Sequence, residues 1–560
     1  MNQLGLFHST LPTSVYDYAA RSSGDRHGLV LTKPHIVELI LDLAGYDSAR
    51  PLSTLRLLEP ACGEGVFVVA AVRRLLAATT SLERDFENLA SCIVAYDIDE
   101  QNVACTRTHV IEVLVANGVS KPLAAKLATH WLSCADFLLE EIAPVDFVVG
   151  NPPYIRIEEL SPLLHREYRA RYATLFDRAD LYIAFIERGL GLLRASGKLS
   201  FVCADRWTLN RYGAPLRKLI ADHFAVTAYI DLHSASPFES DVIAYPSIFC
   251  FGKAPQASVP VVIATTADAQ ECNDIASFFR EGIALSSTLQ TAIYDEWFIG
   301  AAPWTLSSPA HVKVLRELES KFQPISETAR VGIGVASGCD RLFILESKLD
   351  IEASRLVPLV MRDNIELGLI TGTKRFVINV FNDNGGVVDL AKYPKLAAYL
   401  AAHEAPIRAR HVAKKNPNAW FRTIDRVYPD LVKQPKLLIP DIAGANEVAF
   451  DAGEFHPHHN LYFVVSDQWD LEVLGGLLSS KLALFFVWSY AVKMRGGYLR
   501  FQAQYIRRIR VPAPNQISVA MATKLKSAFR KREFSKLDEL AVEVYGLASL
   551  PDFDFVDTRK

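Results

Sequence analysis

Cysteine is scarce in this chain. Eight are spread over 560 residues, at positions 62, 92, 105, 134, 203, 250, 272 and 339, with no CxxC pair among them. That pattern speaks against a disulfide framework or a structural zinc site and suits reduced thiols in a cytosolic protein. Long hydrophobic runs are missing too. Stretches such as Leu482–Val487 fall far short of the roughly 20 apolar residues of a membrane span. The opening MNQLGLFHST has neither the charged nor the apolar region of a signal peptide. These absences point to a soluble cytoplasmic protein with no membrane partner. Charge of one sign is also lacking, since the net value is only −3. Its distribution is more informative: residues 1–253 hold 24 Lys+Arg against 29 Asp+Glu, residues 254–560 hold 36 against 34. With half its residues hydrophobic and 22% charged, the chain is globular, and its length implies roughly two to four domains.

The first part reads as strands alternating with helices, the pattern of a largely parallel sheet covered on both faces. Thr32-Lys33-Pro34 opens a helix whose apolar positions Ile36, Leu39, Ile40 and Leu43 share one face. The strand 55–60 then runs into Ala61-Cys62-Gly63-Glu64-Gly65 and an apolar helix, the first half of a nucleotide-binding βαβ unit. No GxGxxG and no Lys-Ser/Thr follow, so a pyrophosphate or ATP phosphate is not the natural guest. Glu59 suits a cationic or hydroxylated ligand, since a carboxylate would repel phosphate. A tight structural turn is the competing reading. The strand 91–96 ends in Asp97-Ile98-Asp99, where Asp97 could hold a ribose diol and Asp99 cap a helix. Asp136-Phe137 could hold an adenine, the acid at its amine and the ring on its face. Asp146-Phe147-Val148-Val149 is a short apolar strand broken by Gly150 and followed by Asn151-Pro152-Pro153-Tyr154. Two prolines force a rigid, extended loop carrying an amide, carbonyls and an aromatic ring at a strand's C-terminal end, where ligands of open α/β sheets bind. Such a loop could accept hydrogen bonds from an amino group and stack on a flat ring; alone, it could equally be a turn.

In order, Thr32-Lys33-Pro34, LLEPACGEG (57–65), AYDID (95–99), ADF (135–137), NPPY (151–154), DLYIAF (180–185) and GKLSFV (197–202) resemble the S-adenosylmethionine-dependent amino-methyltransferases of DNA, specifically the TaqI/Eco57I-like adenine-N6 group. The resemblance covers residues 28–253 well and the remainder more loosely. It implies a Rossmann-like methyltransferase domain with a mostly parallel seven-stranded sheet over 1–253. A mixed α+β target-recognition domain over 254–515 and a C-terminal helical segment over 516–560 would follow. It also implies S-adenosyl-L-methionine as cofactor. Thr32, Glu59, Ala61, Cys62, Gly63 and Gly65 would line its methionine end, and Asp97 and Ile98 its ribose and adenine. Asp136, Phe137 and Phe185 would complete the pocket. Asn151, Pro152 and Tyr154, in a loop stiffened by Pro153, would meet the target base. The family sets a second aromatic opposite the tyrosine from a late strand of this domain; Phe251 is the choice here and Phe249 the alternative. The chain has no Pro-Cys dipeptide, so cysteine chemistry of the cytosine-C5 kind is disfavoured.

In the second part, the segment from Gly332 to Phe343 resembles the opening of the group's recognition region, and 494–514 its end. A phosphate loop is disfavoured because no Lys-Ser/Thr follows the glycines. Two basic stretches with interleaved aromatics could neutralise backbone phosphates. One includes Arg408, Arg410, Lys414, Lys415, Arg422, Arg426, Lys433 and Lys436; the other Lys493, Arg495, Arg500, Arg507, Arg508 and Arg510. Lys414, Lys415, Arg422, Lys493, Arg495 and Arg500 are the candidate DNA contacts. A solvated charged face is the alternative. His456, His458 and His459 have no acid or cysteine at ligand spacing, so an exposed loop and no metal are expected. Double-stranded DNA is the implied substrate. No PD…(D/E)xK set stands out and only about 30 residues precede the first motif, so any cognate restriction endonuclease is expected to be a separate protein. Methylation of a protein glutamine or of RNA would use the same NPPY chemistry, and a DNA-specificity protein without catalysis is the non-enzymatic alternative.

Overall fold

The computed structural model describes residues 30–79, 86–239, 245–282, 289–295, 297–305, 308–347, 349–372, 375–443, 447–491 and 499–550. The chain forms two compact units, Met1–Thr305 and Leu306–Lys560.

In the first unit, strands and helices alternate. Helix α1 (Pro34–Ala44) starts on a proline, whose fixed φ suits a first turn, and stops at Gly45 in the left-handed region. Next come β1 (Leu57–Glu59), α2 (Val66–Ala78), β2 (Ile93–Asp97), α3 (Glu100–Ala116), α4 (Lys121–Trp131), β3 (Leu132–Cys134) and β4 (Val145–Gly150). They are followed by α5 (Pro162–Arg171), α6 (Tyr182–Leu192), β5 (Leu193–Ala204), α7 (Ala214–His223), β6 (Ala225–Asp231) and β7 (Pro246–Gly252). The unit closes with β8 (Val259–Ile263), α8 (Ala269–Glu281) and β9 (Gln290–Tyr294).

All nine strands share one sheet in the order β3-β2-β1-β4-β5-β7-β6-β8-β9. From β3 to β5 the neighbours are parallel, and β7 runs antiparallel between β5 and β6. The expected seven strands are therefore joined by two more, both beyond residue 253. β8 pairs parallel with β6 through Tyr229↔Val261, and β9 closes the edge antiparallel. Pro260 and a largely exposed β9 give these strands weak sequence signals, because edge strands tolerate proline and polar faces. β4 is buried along its whole length, as a run of apolar residues between helical layers requires. Strand order reverses where β1 meets both β2 and β4. The crevice beyond the C-terminal ends of β1 and β4 is thus the position an open α/β sheet offers a ligand.

The second unit holds two small four-stranded sheets and a helical core. One sheet is antiparallel, ordering Arg330–Ile333, Leu461–Val465, Lys436–Pro440 and Ala449–Asp451. The other orders Ile344–Leu345, Arg375–Ile378, Leu356–Val360 and His456–Pro457. The C-terminal segment forms two helices, Val519–Lys531 and Phe534–Tyr545, whose Leu525, Phe529 and Leu537 share an apolar core with the buried helices Leu471–Leu478 and Lys481–Tyr490. Gly475 is required there, since a Cβ would stand 2.7 Å from the Phe529 ring. Among the described residues no single helix is long and apolar enough to cross a membrane.

Candidate active site

A partly open cavity lies beyond β1, β2 and β4, at the edge of the sheet where ligands of open α/β folds bind. Its walls come from segments far apart in sequence: 30–32, the glycine turn after β1, Asp97-Ile98 after β2, 135–137, the loop after β4, and the start of α6.

The glycine turn is held by its neighbours. The Cys62 amide donates to the Tyr96 carbonyl at 2.8 Å, the Gly63 amide to Asp97 Oδ2 at 2.8 Å, and the Thr106 hydroxyl to the Gly63 carbonyl at 2.9 Å. Asp97 is further fixed through Oδ1, which accepts from the Asp99 amide at 2.9 Å and Asn102 Nδ2 at 3.3 Å. Glu59 is buried, and its Oε2 has no protein partner. Burial, reinforced by the Asp97 carboxylate, pushes Glu59 well above the usual carboxylate range, and burial raises Asp97 as well. Two sequestered acids, one with a bare oxygen, make a site that a cationic, hydroxyl-bearing ligand would complete. Beyond them Asp136 accepts from the Leu138 amide at 2.9 Å and from the Tyr168 hydroxyl at 2.6 Å. The Phe137 and Phe185 rings lie 5.2 Å apart and, with Ile98, give an apolar slot for a flat ring.

On the other side stands the loop after β4. Gly150 has φ +150°, a backbone conformation that residues with a side chain rarely adopt, while a Cβ there would meet Pro60 and Glu59 only at ordinary contact distance. Asn151 Nδ2 donates to the Val30 carbonyl at 3.0 Å and to Thr32 Oγ1 at 3.2 Å. These acceptors fix which way the amide points and leave Oδ1 buried without a partner. Segment 31–33 is itself clamped by a short antiparallel pairing with 237–239: Lys33 donates to the Pro237 carbonyl at 3.0 Å and Glu239 to the Leu31 carbonyl at 2.9 Å.

Nearly all the residues expected at the cofactor and the target base line this one cavity. The structure places two elsewhere. Gly65 caps the start of α2 with φ +90°, and a Cβ there would stand 2.6 Å from Thr106 Cγ2, so it admits α3 rather than touching a ligand. Phe251 is a core residue of β7, stacked on Phe249 at 5.8 Å and near Trp207, outside the cavity wall. Phe249 is equally enclosed, by Trp207 and Tyr229. The ring edge-on to Tyr154 belongs to Phe238, with centroids 6.2 Å apart and planes at 80°. A phenylalanine in a polar loop carries no periodicity signal; only the pairing of 31–33 with 237–239 brings it there. Tyr168 was also missed, since nothing in its own helix marks the carboxylate it holds.

In the second unit, Lys414 and Lys415 are exposed at the end of a short helix, and Arg422 is half-buried, bonded to Asn416 and set over the Phe381 ring. Other members of the basic stretches hold the fold instead. Arg410 donates to the carbonyls of Ser337, Trp420 and Arg422, Lys436 is buried in an ion pair with Asp451 at 2.7 Å, and Arg507 and Arg510 donate to the Val331 and Phe322 carbonyls. Arg508 lies 3.6 Å above the Tyr490 ring. Lys493 and Arg495 lie outside the described residues, and Arg500 is described only as backbone, pairing with Ile442. The histidines do not form an exposed loop: His456 and His458 are buried and only His459 is exposed. The fold brings an acid to them, Asp340, which sequence spacing could not show.

A sheet of this order, with acids after β1 and β2 and an Asn-Pro-Pro-Tyr loop after β4, defines an S-adenosylmethionine-dependent methyltransferase. The Eco57I restriction-modification methylase family matches residues 91–238, and the TaqI-like C-terminal specificity domain matches 392–511. The chain is 41% identical to the Type II methyltransferase M.BstVI of Geobacillus stearothermophilus over 542 residues, spanning 93% of this chain and 96% of that one. It is 41% identical to M.PaeR7I of Pseudomonas aeruginosa over 530 residues, spanning 94% and 92%. Among solved structures, the Type IIL restriction-modification enzyme MmeI in complex with DNA shares the fold, with a TM-score of 0.56 at 13% identity over 93% of this chain and 74% of MmeI. The chain belongs to the Type II restriction-modification methyltransferases, and S-adenosylmethionine is its cofactor.

Proposed function

We propose that the chain methylates N6 of an adenine turned out of duplex DNA at a specific sequence, protecting that DNA from a separately encoded endonuclease. The observation that carries this reading is the fixed Asn151 amide. Its nitrogen is committed to Val30 and Thr32, so a buried oxygen is presented as an acceptor for an amino group.

When bound, the cofactor supplies an electrophilic methyl on a sulfonium. Glu59 would face its cationic end, Asp97 would accept from the ribose hydroxyls, and Asp136 from the adenine amine, while Phe137, Phe185 and Ile98 would enclose the ring. Ala61, Cys62 and Gly63 bring backbone close to the methionine end. For the target base, Asn151 Oδ1 and the Pro152 carbonyl accept the two N–H protons of the exocyclic amine. That would draw its lone pair out of conjugation with the ring and make the nitrogen a better nucleophile. Pro153 keeps the loop rigid. Tyr154, which lines the cavity, offers a face to the flipped base, which must leave the stack to reach it, and Phe238 packs edge-on to the Tyr154 ring and holds it in place. Burial holds the Tyr154 phenol neutral, far above its ordinary range. Lys414, Lys415 and Arg422, with Lys493, Arg495 and Arg500, are the proposed phosphate contacts. Adenine over cytosine rests on the adenine-N6 group that the motifs resemble. The match to a specificity domain favours DNA over RNA or a protein glutamine.

Asn151→Ala should lower methyl transfer by at least about 10²–10³-fold, the cost of losing one such preorganised polar contact. Cofactor affinity, measured by calorimetry, should stay within a few-fold. Unchanged turnover would remove Asn151 from the reaction.

A further inference from the structure

Three ligand atoms converge in the second unit, on residues to which the proposed methyl transfer gives no role. His458 Nε2 lies 3.1 Å from Asp340 Oδ2 and 2.8 Å from His459 Nδ1, and the ligand atoms of all three residues lie within 4.8 Å of one another. Protons alone serve this arrangement badly. If Nε2 of His458 carries a proton, it can point at the carboxylate or at the second imidazole, not squarely at both. If Nε2 is bare and His459 donates to it, its lone pair faces the carboxylate. A cation among the three would be met by His458 Nε2, His459 Nδ1 and Asp340 Oδ2 at once, while His458 Nδ1 stays buried without a protein partner.

The positions are preset by backbone. Gly334 donates to the Leu461 carbonyl at 3.0 Å, Val335 to the Pro457 carbonyl at 2.9 Å, and His459 to the Val335 carbonyl at 3.0 Å. His458 is tied to the Val360 carbonyl at 2.9 Å. Approach this close needs Gly334, where a Cβ would come within 2.2 Å of the His458 carbonyl. Asp340 is oriented by the Ser337 hydroxyl, which donates to its other oxygen at 2.5 Å, the kind of outer support that metal-binding carboxylates have. His458 is buried, while Asp340 and His459 reach the surface, so an ion could enter from solvent.

We propose that Asp340, His458 and His459 bind one divalent zinc-class cation that pins the 334–340 segment to the 456–460 turn, with its remaining coordination open to water. Two imidazole nitrogens and one carboxylate, with no sulfur, are a zinc donor set that leaves a position free. Zinc ligands stand about 2.0–2.2 Å from the metal. Ligand atoms around one ion are then roughly 3–3.5 Å apart. Two of the spacings here, 3.1 and 2.8 Å, are close to that, and the third, between Asp340 and His459, is at most 4.8 Å and would close on binding.

The test uses the untagged full chain, stripped of metal and titrated with zinc chloride against a chromophoric chelator. Stoichiometry is read by elemental analysis. One zinc per chain is expected, with thermal stabilisation on binding. Asp340→Asn and His459→Ala, both at surface positions, should each weaken zinc binding at least about tenfold and abolish the zinc-dependent stabilisation. Melting in chelator shows whether the variants remain folded. Cobalt should give a visible absorption band in the parent that both variants lose. Failure of the parent to hold one equivalent of zinc, or equal zinc affinity in the folded variants, would overturn the assignment.

Discussion

At the scale of single residues, the site depends on which end of one amide faces the substrate. Thr32 Oγ1 and the Val30 carbonyl together hold Asn151 Nδ2. Thr32→Val keeps the shape and removes one of the two acceptors, so the amide is held only by the Val30 carbonyl and its orientation is less firmly fixed. Turnover should fall about 10-fold or more, as for a lost hydrogen bond of about 1.5 kcal/mol, while Thr32→Ser retains most activity. Equal kcat in the valine variant would show that Thr32 does not orient Asn151. The rings make a second test. Phe238→Ala should weaken capture of an extrahelical base, read as reduced 2-aminopurine fluorescence enhancement at the target position, with cofactor affinity intact. Phe251→Leu should act on stability alone. A selective loss of base capture in the Phe251 variant, with Phe238→Ala unaffected, would reverse the assignment. The sequence contained the residue types at both places. Asn151 and Tyr154 were legible because proline and glycine flank them, whereas Phe238 was not, because its place depends on a pairing between segments some two hundred residues apart.

At the scale of elements, the loops at the sheet's C-terminal edge work only because helices come close behind them. Gly65 illustrates this. Its motif is visible in sequence as a ligand-facing glycine, yet its left-handed backbone and the 2.6 Å approach of Thr106 give it a packing role between α2 and α3. Gly65→Ala should destabilise the cofactor-free protein by about 1–3 kcal/mol, the cost of a non-glycine residue held in that region. Denaturant melts would register this, and an unchanged midpoint would contradict the packing account. Strands β1, β2 and β4 to β7 were readable from apolar runs between helical stretches, whereas β3, three residues directly after a helix, was not. β8 and β9 were not, because a proline and exposed side chains blur a short edge strand's pattern. In the second unit, short strands and turns gave few periodic signals. Charge counting there could not separate Lys414, free to meet a phosphate, from Lys436, buried against Asp451.

For the whole molecule, methyl transfer is proposed for the first unit and phosphate contact for the exposed Lys414 and Lys415 of the second. Lys414→Ala and Lys415→Ala should each weaken DNA binding about equally across sequences and reduce the salt dependence, log K against log salt, by about one per residue. A salt slope equal to the parent's would remove them from the contact surface. The central claim is the identity of the methylated atom. Incubating the protein with duplex DNA and methyl-labelled S-adenosylmethionine, digesting to nucleosides and separating the products tests it most directly. Label is expected in N6-methyldeoxyadenosine alone; label in N4-methyldeoxycytidine, or in RNA or protein but not DNA, would rule out adenine-N6 methylation of DNA.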